Sequence, residues 1–357
     1  MLMKSDMTEN SRLIYDLNFN DLLSLVQQWG LPRYRAIQIW EGLYRSLWKS
    51  PDEFITLPRE LRERLSQEFT FQALLPGSEL RSSDGETVKT LFHLRDNHAI
   101  EAVLMRYKTR RTLCISTQAG CAMGCVFCAT GQMGFKRNLS SGEIIEQVLY
   151  YARQLKEQGE SVSNIVIMGM GEPFHNYEAT LRAVDCLNHP EGFNLGARRF
   201  TISTVGIIPM IRKFTQENRQ VNLAISLHAA DDETRASLLP INKKYPISEL
   251  LSACRDYVSQ THRRITFEWA LIRNINDTPE QAHKLAGLLK GLLCHVNVIP
   301  LNPTRRYQGE ATTRERAEAF CEILNQAGIP STIRVRRGID IQAGCGQLAT
   351  QNISMEG

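Results

Sequence analysis

The sequence predicts an α/β protein in which strands and helices alternate around a parallel sheet, preceded by a small helical unit and a short lead-in sheet. Three observations carry this. The first 70 or so residues repeat their apolar side chains at helical spacing, the period shortens to that of strands from about Thr87, and strand-like and helix-like stretches then alternate through the remaining chain. The expected divisions are residues 1–75 for the helical unit, 76–110 for the lead-in strands, and 111–357 for the core with its C-terminal segment.

In the helical unit, Leu22, Leu23, Leu25, Val26 and Trp29 form one stripe that stops at Gly30-Leu31-Pro32. Ala36, Ile37, Trp40, Leu43, Tyr44 and Leu47 form a second, and Leu61, Leu65 and Phe69 a third after Leu57-Pro58. Arg33, Arg35 and Arg45 make the unit a candidate RNA-docking module, while its aromatic residues equally suit a core. Thr87 to Leu94, Ala99 to Met105 and Arg111 to Ser116 read as strands, with turns at Ser83-Asp-Gly85 and Asp96-Asn-His98. Ser140-Ser-Gly-Glu143 is a capping box that opens a helix through Ile144, Ile145, Val148 and Leu149. Strands follow at Asn164 to Met168, Arg199 to Ser203, Val221 to Leu227, Ile265 to Leu271 and Val296 to Pro300. The clearest helices between and after them are Thr278 to Leu293 and Thr313 to Ala327. Repeated βα units place working loops at the C-terminal ends of the strands. Alternation alone leaves both a partial barrel and an open doubly wound sheet in play.

A hydrophobic fraction of 43% and a charged fraction of 22% are those of a globular protein. No apolar run reaches the roughly 18 residues of a membrane span, and Met1-Leu-Met-Lys-Ser-Asp6 is too short and polar for a signal peptide, so a cytoplasmic protein without membrane attachment is expected. Nine cysteines, an odd number in a long chain, suit a metal or redox role better than a disulfide framework. Net charge is +4, but basic residues come in pairs at Arg110-Arg111, Lys136-Arg137, Arg198-Arg199, Lys243-Lys244, Arg263-Arg264, Arg305-Arg306 and in Arg334-Val-Arg336-Arg337. Such pairs suit phosphate contacts, although any single pair also fits a solvated loop edge.

The chemistry concentrates at Cys121-Ala-Met-Gly-Cys125-Val-Phe-Cys128, where three thiols lie within eight residues and Gly124 lets the backbone bend. Thiolates select soft metals, and three of them leave a coordination position open where four would close a structural zinc site. No fourth Cys or His lies close by in the sequence, so the loop alone fits either an open cluster or a zinc knuckle completed by a distant ligand. Gly169-Met-Gly171-Glu172-Pro173 follows a buried-looking strand, where glycines admit a ligand close to the backbone and Glu172 can accept from an ammonium. Cys186, Cys254, Cys294 and Cys321 fall in or beside helical stripes and read as core, whereas Gly344 and Gly346 around Cys345 argue against core packing there.

Besides CxxxCxxC with Phe127 before its last Cys, the chain carries Cys114-Ile-Ser-Thr-Gln-Ala-Gly-Cys121, Gly169-Met-Gly-Glu-Pro173, Ser226-Leu227-His228 and Ile341-Gln-Ala-Gly-Cys345-Gly-Gln-Leu348 in this order. In this the chain resembles the RlmN and Cfr family of radical S-adenosylmethionine (SAM) RNA adenine methyltransferases, and most of all its dual-specificity carbon-2 members. The likeness runs from about Glu101 to Leu348. It implies a partial (β/α)6 barrel, a [4Fe-4S] cluster on Cys121, Cys125 and Cys128, and two SAM molecules per turnover. It also implies SAM contacts from Gly171, Glu172, Ser203, Ser226, Leu227, His228 and Asn302. The expected activity is methylation of carbon 2 of an adenosine in 23S rRNA, and in tRNA of the adenosine 3′ of the anticodon. A monomer reduced by flavodoxin or ferredoxin is expected.

An electron-poor ring carbon cannot take an electrophilic methyl group directly, which is why the resemblance brings in radical chemistry. By that likeness one SAM methylates Cys345, and a second, cleaved reductively, yields the 5′-deoxyadenosyl radical that removes a hydrogen from this methyl. The carbon radical then adds to adenine, Glu101 accepts the proton of the substituted carbon, and Cys114 attacks the sulfur of Cys345 to release RNA with a transient disulfide. Gln342-Ala-Gly344 stands where the family more often has Asp-Ala-Ala, and Pro173 is the residue typical of the carbon-2 enzymes. The rival readings are the carbon-8 methyltransferase and an RNA-binding protein with a structural metal.

Overall fold

The computed structural model describes residues 12–350, so the Met1-Leu-Met-Lys-Ser-Asp6 stretch considered above lies outside the described residues. Strand β1 (Arg12–Leu13) leads to helices α1 (Phe19–Gln28), α2 (Arg33–Glu41) and α3 (Arg59–Glu68), and β2 (Phe69–Thr70) returns to pair in parallel with β1. Asn18 opens α1 by accepting from the Asp21 amide at 2.9 Å, and Asp21 answers by accepting from the Asn18 amide at 3.1 Å. Trp40 and Tyr44 are fully buried, so these aromatic residues are core.

Strands β3 (Leu75–Arg81), β4 (Thr87–His93), β5 (Ala99–Arg106) and β6 (Arg111–Cys114) follow as an antiparallel meander. A separate hairpin, β7 (Gln118–Gly120) with β8 (Phe135–Asn138), brackets the cysteine loop and the short helix α4 (Ala129–Met133). The chain then alternates: α5 (Ser141–Glu157), β9 (Asn164–Ile167), α6 (Tyr177–Asn188), β10 (Phe200–Thr204), α7 (Ile208–Gln216) and β11 (Asn222–Ser226). Helices α8 (Asp232–Leu238) and α9 (Ile247–Thr261) precede β12 (Ile265–Leu271), and α10 (Pro279–Leu289), β13 (Cys294–Pro300), α11 (Arg314–Gln326) and β14 (Ser331–Ile333) complete the series.

Ten of the strands share one sheet in the order β14-β13-β12-β11-β10-β9-β6-β5-β4-β3. From β6 to β14 every pairing outward from β6 is parallel, the partial (β/α)6 barrel; β6 also pairs antiparallel with β5, so the lead-in strands extend the barrel sheet. Alternate strand residues such as Ile165, Ile202, Leu223, Phe267 and Val296 are fully buried, and each such side chain contributes about 1.5–3 kcal/mol. Helix α5 receives the N-terminal unit. Asp16 accepts from the Gly142 amide in its first turn at 2.7 Å, and Glu146 accepts from Ala73 and Leu74 at 2.7 and 3.2 Å.

β14 and β3 are the two edges of the sheet, and the chain after β14 turns back across the opening instead of forming a helix. The Arg334 amide donates to Val298 at 2.8 Å, and Asp340 then accepts from Ser83, before β4, at 2.8 Å. Further along, the Gln342 carbonyl accepts from Lys89 of β4 at 3.2 Å and the Ala349 amide donates to Glu101 of β5 at 3.0 Å. This closing segment, residues 334–349, carries Cys345.

Candidate active site

Two tight turns bring the cysteine loop to the C-terminal end of the barrel strands. Gly120 (φ 73°) lies so close to Gly134 that a Cβ would fall 1.9 Å from the Gly134 carbonyl oxygen, and the Cys121 amide donates to that carbonyl at 3.1 Å. The loop is pinned on one side by Val126 N–H to Leu238 at 3.1 Å. On the other side the closing segment accepts from Ala129 N–H at Gly346 (2.7 Å) and from the Thr130 hydroxyl at Leu348 (2.6 Å). Cys121 and Cys125 are buried and Cys128 half-buried. Burial, reinforced by the neighbouring thiols, pushes Cys121 up to about 12, Cys125 well above the ordinary range and Cys128 upward. Among the described residues no three His, Cys, Asp or Glu converge tightly enough to hold a single metal ion. Three soft donors on one short loop, two of them in a cavity wall, do fit a cluster that spreads its ligands over separate irons.

That cavity, about 160 Å³, opens at the strand ends and is walled by Cys125, Cys128, Glu172, Ser203, His228 and Cys345, among others. Gly169 and Gly171 keep its floor low: a Cβ would lie 2.6 Å from the Ile115 carbonyl at the first and 2.5 Å from the Gln118 Cβ at the second, where φ is 99°. Glu172 is 2% exposed and its oxygens accept from the Phe174 and Val205 amides, each at 2.9 Å. Burial raises its carboxyl to about 7, and no cationic side chain pairs with it among the described residues. A buried carboxylate on a cavity wall without a positive partner fits a ligand ammonium, as SAM's amino group would supply.

His228 takes a left-handed backbone (φ 60°), unusual for a residue with a side chain, and its Nδ1 accepts from the Ala270 amide at 2.9 Å. Burial, then Arg235, lowers it to about 3, so the ring is neutral and its other nitrogen carries the hydrogen. The hydroxyls of Ser203 and Ser226 lie 3.4 Å apart on adjacent strands. Asn302 donates to the Cys345 carbonyl at 3.0 Å, while its own buried side-chain oxygen has no partner among the described residues. Leu227 does not join them: its side chain is core, and its amide donates to Glu268 at 3.1 Å.

Cys345 borders a second cavity as well, together with Cys114, Met105, Tyr107 and Arg334. Burial, then Cys345, pushes the Cys114 thiol up to about 12, against the pull of Arg334. Gln342 in the same segment is left-handed (φ 52°), a conformation that a short Asp tolerates better than Gln. A Cβ on Gly344 would lie 2.7 Å from Asn302 Nδ2 and Gln347 Oε1, so Ala there would displace the amide that holds Cys345. Glu101 lines neither cavity. It faces a third recess, about 180 Å³, beside Lys89, Arg305 and Gln342, across the closing segment from the first two. All nine cysteines are free, and the four expected in the core are buried, Cys186, Cys254 and Cys321 on helices and Cys294 at the start of β13.

Several residues here carry no signal that spacing could reveal. Glu268 of β12 and Arg334 line the first cavity, and Arg235 of α8 donates to Val205, Ser226 and Leu227 carbonyls at 2.7, 3.2 and 3.0 Å, fixing two strand ends. Arg334 stood out only as one of a basic run, Lys89 is a lone charge whose partners lie on β5 and the closing segment, and Arg235 is a lone charge that turns back onto carbonyls at two strand ends. Basic pairs are partly occupied internally: Arg106 and Arg111 share Glu160, and Arg137 bridges Asp96 and Glu143.

Comparison with known proteins bears on the same residues. The radical SAM superfamily pattern matches residues 115–289. The dual-specificity RNA methyltransferase RlmN 1 of Myxococcus xanthus is 50% identical over 346 residues, covering 97% of this chain and 96% of its own. A probable dual-specificity RNA methyltransferase RlmN of Chloroflexus aurantiacus is 47% identical, covering 95% and 93%. The crystal structure of a radical SAM methyltransferase from Sphaerobacter thermophilus superposes with a TM-score of 0.93 at 50% identity, covering 95% of this chain and all of that one.

Proposed function

The chain belongs to the RlmN family of dual-specificity radical SAM RNA methyltransferases, and from that premise we propose that it methylates carbon 2 of adenosine in 23S rRNA and, in tRNA, of the adenosine 3′ of the anticodon. It is a SAM-dependent radical RNA methyltransferase using a [4Fe-4S] cluster. When bound, the cluster supplies the electron that cleaves SAM, the source of radical chemistry at a carbon with no nucleophilic lone pair. Cys121, Cys125 and Cys128 hold the cluster; Glu172 takes the SAM ammonium, and Gly171, Ser203, Ser226, His228 and Asn302 shape the rest of its site. Leu227, with its side chain in the core and its amide and carbonyl bonded to Glu268 and Arg235, holds Ser226 and His228 in place on either side of it.

The observation that carries the proposal is the placement of Cys345, on the wall of the Glu172 cavity and of the Cys114 cavity at once. Placed there, one sulfur borders both the side where SAM would activate its methyl and the chamber of the thiol that must release it. Glu101 accepts the proton of the substituted ring carbon. Cys114, once ionised, attacks the Cys345 sulfur: an S–S bond forms, the S–C bond breaks, and the electron pair stays on the methylene carbon, which takes up a proton to become the product methyl. The N-terminal helices dock RNA, a flavodoxin or ferredoxin supplies electrons, and the protein works as a cytoplasmic monomer. No helix among the described residues is long and apolar enough to cross a membrane.

The test is mass spectrometry of methyladenosine isomers in ribosomal and transfer RNA from cells with the gene deleted and restored. Loss and return of 2-methyladenosine in both RNAs is expected. 8-Methyladenosine in its place would move the enzyme to carbon-8 chemistry, and no change in either isomer would overturn the proposal.

A further inference from the structure

The proposed proton acceptor does not stand alone. β4 and β5 pair so that Lys89 lies opposite Val103 and Leu91 opposite Glu101, which puts Lys89 and Glu101 diagonally on one face. The other face of these strands packs on α5, where the Tyr151 hydroxyl meets Thr90 and the Ala102 carbonyl at 2.9 and 2.8 Å. On the Glu101 face, Lys89 Nζ sits 3.1 Å from Glu101 Oε1, their side chains only 8% and 5% exposed. A second N–H of the same ammonium donates to the Gln342 carbonyl at 3.2 Å, and Glu101 Oε2 accepts from Ala349. Lys89 and Glu101 therefore join β4 and β5 to the closing segment on both sides of Cys345.

Resting on the mechanism proposed above, we infer that Lys89 is a positioning residue for Glu101: its ammonium keeps the carboxylate in the proton-accepting form and ties it to the segment that carries Cys345. A buried ion pair costs desolvation of both partners and adds little net stability, so a role at the recess explains it better than stabilisation does. In the step served, once the radical adduct has passed its unpaired electron back to the one-electron donor that opened the turnover, a C–H bond of the substituted ring carbon breaks, an O–H bond forms on Glu101, and the C–H electron pair stays in the ring. Burial alone raises Glu101, and Lys89 is the chief influence opposing that rise. The other charged groups on the recess are Arg305 and Asp340, both exposed, and Asp340 is bonded to the Ser83 amide. Without Lys89 the carboxyl holds its proton to higher pH and cannot accept another.

The experiment follows 2-methyladenosine formation and the covalent protein–RNA adduct against pH for the cluster-loaded wild type, Lys89→Met and Lys89→Arg. Lys89→Met is expected to turn over at least about tenfold more slowly at neutral pH, within the range a general base contributes. Its deficit should shrink as pH rises, adduct should accumulate, and Cys345 methylation and iron content should match wild type. Lys89→Arg should restore the wild-type profile in large part. If Lys89→Met does not fold, Lys89→Gln, which keeps a donor without charge, takes its place. A variant profile parallel to wild type, or a loss that neither responds to pH nor leaves adduct, overturns the inference. Absence of 2-methyladenosine from the wild type itself would instead sink the proposed carbon-2 activity, and that is read before any variant is scored.

Discussion

Cys114 and Cys345 differ in sequence position by more than half the chain yet wall one cavity, which is the arrangement a resolving thiol needs. Cys114→Ala is therefore expected to trap an RNA-linked protein, visible as a retarded, ribonuclease-sensitive band; normal turnover would remove that role. Cys128→Ala is expected to lose the cluster while sparing most RNA affinity, since residues 121–128 include no Lys or Arg to pair with phosphate. Iron at wild-type stoichiometry in that variant would count against Cys128 as a ligand. The three loop thiols, Glu172 and Cys345 were legible because short spacings and glycine neighbours mark them. Lys89, Arg235 and Glu268 were not, because Lys89 and Glu268 acquire meaning from a partner on a neighbouring strand and Arg235 from carbonyls at two strand ends.

At the scale of elements, the capping box at Ser140 opens α5 as the sequence indicated, with Glu143 accepting from the Ser140 amide at 2.9 Å. β12 likewise spans the expected Ile265–Leu271. β3 escaped because Pro76 and Gly77 sit in an exposed edge strand with no alternation of burial, and β14 because three residues carry no period. Helix α5 also holds a pH-sensitive joint. Burial raises Glu146 to about 7 even though two amides of the Ala73-Leu74 segment donate to it. Its folded value lies above the ordinary 4.5, so the folded protein holds this proton more tightly. The associated stability is full below about pH 4.5 and is lost as pH climbs through about 7. Glu146→Gln keeps an acceptor for both amides and removes the charge. It is expected to raise the melting temperature at pH 8, by up to roughly 3 kcal/mol in stability, and to change little at pH 5. An unchanged pH dependence in denaturant melts would contradict this.

For the whole molecule, alternation of strand and helix was enough to announce the barrel, but nothing in it showed that the sheet would stay open between β14 and β3 or that an irregular segment would span the gap. Residues 334–349 have no period, and bonds to Ser83, Lys89, Glu101 and Asn302 hold them there, each remote in sequence. The same segment accepts from Ala129 and Thr130, immediately after the last cysteine of the loop. These two hydrogen bonds make metallation and the methyl-bearing thiol thermodynamically reciprocal: whatever free energy iron loading lends to an ordered segment, an ordered segment returns to iron binding. Iron-loaded protein should therefore resist limited proteolysis between Val335 and Leu348 better than the apoprotein, and Thr130→Val should narrow the difference. Should that difference be found, the enzyme has its own safeguard against waste, since a chain without iron would hold Cys345 less firmly where SAM could be spent on it.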